Sequence, residues 1–129
     1  MKVPAKMVNL TGHNIHILFA KNKNDLVIEP SGYVARVDFN KVHDNTLETK
    51  EGEKITVVRR QFGQLFIPPG IDKLGSHFIV SSLVLEGIRE ANEDEESFPY
   101  HEFLCPDTGP TALRDKYGRV LAVTRLIAL

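Results

Sequence analysis

One cysteine, Cys105, stands in 129 residues, and tryptophan is absent. A single thiol excludes a disulfide within the chain and any multi-cysteine zinc site, and it suits a reducing cytoplasm. An excess of one charge is also missing. Sixteen lysines and arginines stand against seventeen acids, a formal net charge of −1. Proteins that grip duplex nucleic acid carry a basic surplus to neutralise phosphates, so no nucleic-acid polymer is expected as a partner. No apolar run approaches the ~20 residues that span a bilayer, so no membrane is expected either. The first residues, MKVPAKMVNLTGH, lack the apolar stretch and small-residue cleavage site of a secretory signal. Ligand and catalytic signatures are absent too: there is no G-x-x-x-x-G-K-[ST], no G-x-G-x-x-G and no H-E-x-x-H. His13 and His16 are three apart and would face opposite sides of a strand, unless Gly12 bends the chain. Neither a metal nor a cofactor is expected.

What is present describes an ordinary globular chain, with a 42% hydrophobic and a 26% charged share. Its length fits one domain over 1–129. Short alternating runs rich in Val, Ile and Phe predict strands at 7–10, 15–19, 26–30 and 33–39. TLETKEGEKITVVRR (46–60), with a Glu-Gly-Glu tip, predicts a β-hairpin projecting from the body. LFIPPG (65–70) reads as a short strand closed by two prolines, and HFIVS (77–81) as a central strand. Leu83, Val84, Ile88 and Ala91 then fall at helical spacing, which predicts a helix over 82–92 with Ser81 or Ser82 as its cap. Gly87 weakens that helix by ~1 kcal/mol relative to alanine. The acidic run at 93–96 reads as a solvated loop, since acids are unfavourable at a helix C-terminus. A strand at 101–105, a turn at 116–119 and a buried strand over 120–129 complete the chain. The expected fold is α+β, a mostly antiparallel β domain of many short strands with one main helix near 82–92.

The densest concentration of polar chemistry is CPDTGPTALRD, 105–115. Cys105 reads as a buried strand residue, because cysteine is among the most buried residue types and His101, four residues away along a strand, is ~13 Å off. Asp107 and Gly109 suit a turn, the carboxylate accepting from the backbone two residues on. A lone DTG triplet preceded by proline does not supply the pair of carboxylates that share a proton in aspartic proteases. Arg36, Arg59, Arg60, Arg114, Arg119 and Arg125 are dispersed among strands and turns, and arginine captures phosphate or carboxylate with a planar fork. Thr11, Ser31, Thr108 and Thr111 lie at turns and offer hydroxyls. Ordinary surface pairs such as Arg114–Asp115 and Arg36–Asp38 are the bland alternative.

NLTGH (9–13), PSGYVAR (30–36), Phe62–Gly63, FIVSSLV (78–84), PDTGPTALRD (106–115) and VLAVTRLI (120–127) occur in that order. In this the chain resembles a family of small proteins encoded by bacteriophages and prophages. That family's pattern runs N-L-T-P-H, P-P-S-G, V-A-R, P-D-T-G-P-T-A and V-T-R. The likeness covers nearly the whole chain, which departs from the pattern at Gly12, at Glu29 and in an extended acidic loop near 90–100. It supplies context more than mechanism: location in the cytoplasm of a bacterial host, and an anti-defence, virion or accessory role.

Combined with the arginines and hydroxyls, that context leads to a non-catalytic, homo-oligomeric protein that binds a small phosphorylated or nucleotide-like ligand and sequesters it from host immunity. Arg36, Arg114 and Arg125 would hold phosphates, and Thr11, His13, Asp107 and Thr108 would contact ribose or base. A second expectation is a protein–protein module, either a virion accessory or an inhibitor gripping a host defence protein, that uses EDEESFPY (93–100). A third is a small hydrolase using Asp107 or Cys105.

Overall fold

The structure, a computed structural model, describes residues 6–19, 25–94 and 102–128. In chain order the strands are β1 (Met7–Asn9), β2 (Ile15–Leu18), β3 (Asp25–Ile28), β4 (Arg36–Glu48) and β5 (Lys54–Phe66). They continue with β6 (His77–Ile79), β7 (Glu102–Pro106), β8 (Leu113–Arg114), β9 (Val120–Ala122) and β10 (Leu126–Ala128). The helix α1 spans Ser82–Asp94, and a short 3-10 turn occupies Ile71–Lys73. This is the expected α+β arrangement of many short strands and one main helix. Its largest sheet, however, is mixed, ordered β1-β6-β7-β10, with β1, β6 and β7 parallel and β10 antiparallel to β7. The parallel part follows from connectivity: α1 carries the chain from the end of β6 back to the start of β7, a crossover that parallel neighbours require.

HFI lies in the sheet interior as expected, and alternation along it serves two cores. Phe78 and Val80 face one side, where Phe103, Cys105 and Val8 join Val84, Leu85 and Ile88 of α1. Ile79 faces the other, against Ile15 and Ile17 of the β2–β3 hairpin and Val123. A sheet covered on both faces has little use for polar alternation, which is why its strands read as near-continuous apolar runs. Phe78 and Phe103 pack as tilted rings with centroids 5.8 Å apart.

Several boundaries differ from the sequence reading. The hairpin expected at 46–60 is the distal part of a longer ribbon, β4 with β5, 13 residues on each strand. Leu65 and Phe66 therefore belong to β5, and the strand expected from Tyr33 begins at Arg36. Thr49 closes the tip, its N–H donating to Glu53 O (2.9 Å) and its Oγ1 accepting from Glu53 N–H (3.1 Å). Gly52 supplies the left-handed φ of 86° that the reversal needs. The C-terminal run is two strands rather than one, β9 and β10, with Arg125 just before the second. Glu93 and Asp94, read as loop, close α1, while 95–100 lie outside the described residues. Among the described residues no helix is long and apolar enough to cross a membrane.

Gly87 has a packing reason. A Cβ there would stand 2.8 Å from Val37 Cγ2 and 3.8 Å from Leu65 Cδ1, so glycine lets α1 lie directly on the base of the ribbon.

Candidate functional site

The carboxyl ends of β1, β6 and β7 all open on one side of the sheet. There the chain leaves β1 into the bend at 11–13, leaves β6 into α1, and leaves β7 into the Asp-Thr-Gly turn. Between these exits lies a concavity of about 380 Å³. Its floor is apolar, from Ile15, Val80, Pro106 and Val120 to Val123, and its rim carries Thr11, His13, His16, Ser81, Ser82 and Thr108. In open sheets with parallel strands, ligands settle outside the strands' carboxyl ends, where helices begin.

Each side of the rim is held by a local device. Asn9, 1% exposed, is the hub of the first. Its Nδ2 donates to His13 O (2.7 Å) and Ile28 O (2.9 Å), while its Oδ1 accepts from Thr11 N–H (2.9 Å) and Thr11 Oγ1 (2.7 Å). Asn9 O in turn accepts from Ser31 Oγ (2.8 Å) and Ser31 N–H (3.0 Å), and Ser31 Oγ accepts from Tyr33 N–H (3.2 Å). The N-L-T-G-H and P-S-G segments are thus two halves of one polar knot. Thr11, which lines the concavity, spends its hydroxyl on Asn9 and on His13 N–H (3.3 Å). The bend also brings His13 and His16 to the same concavity, the exception that Gly12 allowed. His16 Nε2 lies 2.8 Å from Asp25 Oδ2.

The second device is the start of α1. Ser81 Oγ accepts from Val84 N–H (3.2 Å), and Ser81 O accepts from Leu85 N–H (2.9 Å), which makes Ser81 the cap. The Ser82 and Leu83 N–H groups begin the helix and have no intrahelical acceptor. They stand at the positive end of the helix dipole, beside the concavity that Ser82 lines.

The third device is the turn after β7. Asp107 is buried, its N–H donating to Arg125 O (3.1 Å), its Oδ1 accepting from Gly109 N–H (3.0 Å) and its Oδ2 accepting from Arg125 Nε. The Arg125 hydrogen bond first, then the Gly109 N–H, holds the Asp107 carboxyl below its usual range. Arg114 reaches Gly118 O with Nη1 (2.7 Å) and Thr108 O with Nη2, bracing the turn that presents Thr108. Asp115 pairs with Arg119 (2.8 Å) and accepts from its N–H and that of Tyr117, and these bonds lower its pKa too. The pair imagined between Arg114 and Asp115 is replaced by these contacts.

Of the seven expected ligand residues, Thr11, His13 and Thr108 meet at the concavity. Asp107, Arg114 and Arg125 stand behind the rim and shape it. Arg36 is elsewhere: it lines a separate, more open hollow with Tyr33, Phe66 and Pro68. The three arginines do not converge on one concavity. Residues that sequence reasoning assigned no ligand role, Ser82 and His16, line it instead. The readable signal for Ser82 was the capped helix placed directly after the most apolar strand, the arrangement that aims a helix start at a site.

Cys105 is buried, and desolvation first, then the charge of Asp107, pushes its thiol pKa up. Among the described residues no group of three or more histidine, cysteine or acidic side chains is placed to hold a metal ion. Compared with known families, with curated proteins and with solved structures, the chain finds no match in any of the three.

Proposed function

We propose that the chain binds a small phosphorylated or nucleotide-like ligand in this concavity without transforming it, and that it acts for a phage or prophage by sequestering that molecule in the host cytoplasm. The observation that carries the reading is an apolar hollow at the carboxyl ends of three parallel strands, with the start of a 13-residue helix on its rim. Such a helix start favours an anion through free N–H groups and its dipole. Ser82 and Thr108 add hydroxyl donors, His13 a ring nitrogen, and the apolar floor accepts a flat base or ring. A raised thiol pKa at Cys105 and the pairing of Asp107 with Arg125 both speak for binding over hydrolysis. In this reading Arg114 and Arg125 preorganise the rim. The Arg125 side chain stays 62% accessible while it holds Asp107.

The test is thermal unfolding with inorganic phosphate, nucleosides, nucleoside monophosphates and cyclic dinucleotides. Phosphorylated compounds are expected to raise the melting temperature and nucleosides to do so less. Protein incubated in extract of immune-triggered cells, then heated, should release chemically unchanged nucleotide. Altered nucleotide would mean an enzyme, and no shift with nothing recovered would refute ligand binding. Ser82→Asp sharpens the test: a carboxylate in the first turn favours the helix by ~0.3–1 kcal/mol, yet it occupies the anion's place. The variant should melt no lower than the parent and bind phosphorylated ligands at least tenfold more weakly.

A further inference from the structure

A second hollow, of about 500 Å³, lies at the base of the β4–β5 ribbon, apart from the concavity. Arg36 opens β4 and Phe66 closes β5, and the two form the end pair of the ladder. Opposed residues share a face of a two-stranded sheet, so both side chains border the same space. Before Arg36 comes the P-S-G-Y turn with Tyr33, and after Phe66 come Pro68 and Pro69, which complete the lining with Gly32 and Val34. The hollow thus joins PSGYVAR to LFIPPG, two segments far apart in the chain.

Its walls are fixed from behind. Tyr33 N–H donates to Ser31 Oγ (3.2 Å), Ser31 N–H to Asn9 O (3.0 Å) and Ala35 N–H to Leu10 O (3.0 Å), so the chain entering β4 is tied to the core. On the other side the two prolines carry their own fixed φ, Pro68 is buried, and Ile71 just beyond sits in the main core. The two rings are nonetheless half uncovered, Tyr33 at 48% and Phe66 at 51% exposure. Among the described residues neither ring packs on another aromatic ring, and neither has a cation over its face.

Arg36 is the one charged residue in this lining. Arg59, Arg60, Arg119 and Arg125 each meet a carboxylate, and Arg114 meets two carbonyls. Among the described residues Arg36 has no such partner, and the pair with Asp38 weighed from the sequence does not form. A guanidinium without an internal partner takes a carboxylate or phosphate through paired N–H donors. Uncovered aromatic faces beside it take a flat ring. A single cation matches a single anionic group, and the volume is that of a small-molecule site. We propose that this hollow is a second ligand site, separate from the concavity, for a small flat aromatic molecule carrying one anionic group, which Arg36 holds while its ring packs on Tyr33 and Phe66.

The chain has no tryptophan, so indole fluorescence reports a bound probe alone. Indoleacetate titrated with the full chain should show a saturable rise in fluorescence anisotropy. Its neutral analogue indoleacetamide should bind at least ~tenfold more weakly, as the loss of a charge-assisted hydrogen bond implies. Arg36→Gln should bind the two probes alike, and Tyr33→Ala with Phe66→Ala should weaken both. Because Arg36 has no internal partner, Arg36→Gln should unfold as the parent does. Arg36→Lys, which keeps the charge without the fork, should recover only part of the preference. Adenosine monophosphate separates the two kinds of anion: displacement of indoleacetate marks a site that takes a phosphate, and failure to displace it marks a site for carboxylates. Ser82→Asp, blocked at the concavity, should bind indoleacetate as the parent does, so the two sites can fail independently. No saturable binding of indoleacetate, a preference over the amide that survives Arg36→Gln, or binding lost in Ser82→Asp would overturn the proposal.

Discussion

Replacing Asn9 by alanine removes four hydrogen bonds at a residue 1% exposed. A hydrogen bond contributes a net ~1 kcal/mol, and a buried partner left unsatisfied costs ~1–3 kcal/mol. The Thr11 hydroxyl still has His13 O at 3.0 Å, and the part-buried carbonyls of His13 and Ile28 gain some access to water. The expected loss is therefore ~3–4 kcal/mol. At ~2.1 cal/mol/K per residue, a chain this long has an unfolding entropy near ~270 cal/mol/K, so the melting temperature should fall by ~11–15 °C. Thr11→Val alone should cost ~1 kcal/mol, and the double variant about that much less than the sum, because the two side chains share a bond. Urea unfolding of the four proteins measures all terms. Asn9→Asp should be no better than alanine at neutral pH, since its second oxygen would face two carbonyl oxygens, and should recover as acid restores a donor. A cost below ~1 kcal/mol for Asn9→Ala, or strict additivity with Thr11→Val, would refute the knot as the device that holds the rim.

Three further outcomes follow from the packing and the charges. Gly87→Ala gains ~1 kcal/mol of helix propensity but meets Val37 Cγ2 at 2.8 Å. It should destabilise the parent and stabilise a Val37→Ala background, as denaturant midpoints will show; the same sign in both would contradict the close approach. Asp107 has a depressed pKa, so its contribution is present above the unfolded carboxylate value and lost as pH falls through the lower folded one. Asp107→Asn should be less stable than the parent at neutral pH, the gap closing below about pH 4, in melts recorded across an acid series. Cys105, buried with a raised pKa, should react with iodoacetamide ~100-fold more slowly in native than in urea-unfolded protein; equal rates would mean an open thiol.

The parts of the fold that sequence made legible are those governed by local periodicity. FIV at the sheet centre, the switch to helical spacing at Ser82 and the Glu-Gly-Glu tip each follow from neighbours a few residues apart. Strand direction does not. That β1, β6 and β7 run parallel depends on which distant segments pair: four of the six strand pairings among the described residues are antiparallel, as expected, but the largest sheet is mixed. The ribbon's length was hidden because the irregularities after Val37 and His43 break the alternation on which strand recognition rests.

Part of the concavity's lining was legible in the sequence. The Asp-Thr-Gly segment forms the turn that its aspartate and glycine implied, and Thr108 and His13 line the concavity. The arginines misled because a guanidinium serves a backbone carbonyl or a carboxylate of its own chain as readily as a phosphate. Composition cannot tell Arg114, bonded to Thr108 O and Gly118 O, from a ligand clamp. Asn9 went unnoticed as a hub because its local bonds to Thr11 and His13 are joined to a third partner, Ile28, nineteen residues away, only in the fold.

The central claim is that the hollow between β1, β6 and β7 holds a phosphorylated ligand at the start of α1. Titrating isotope-labelled protein with a nucleoside monophosphate and following backbone amide resonances tests it most directly. The account predicts saturable shifts at Ser82, Leu83, Thr108 and His13, abolished in Ser82→Asp. Resonances there that stay fixed while those around Arg36 and Tyr33 move, or no saturable shift at any amide, would contradict it.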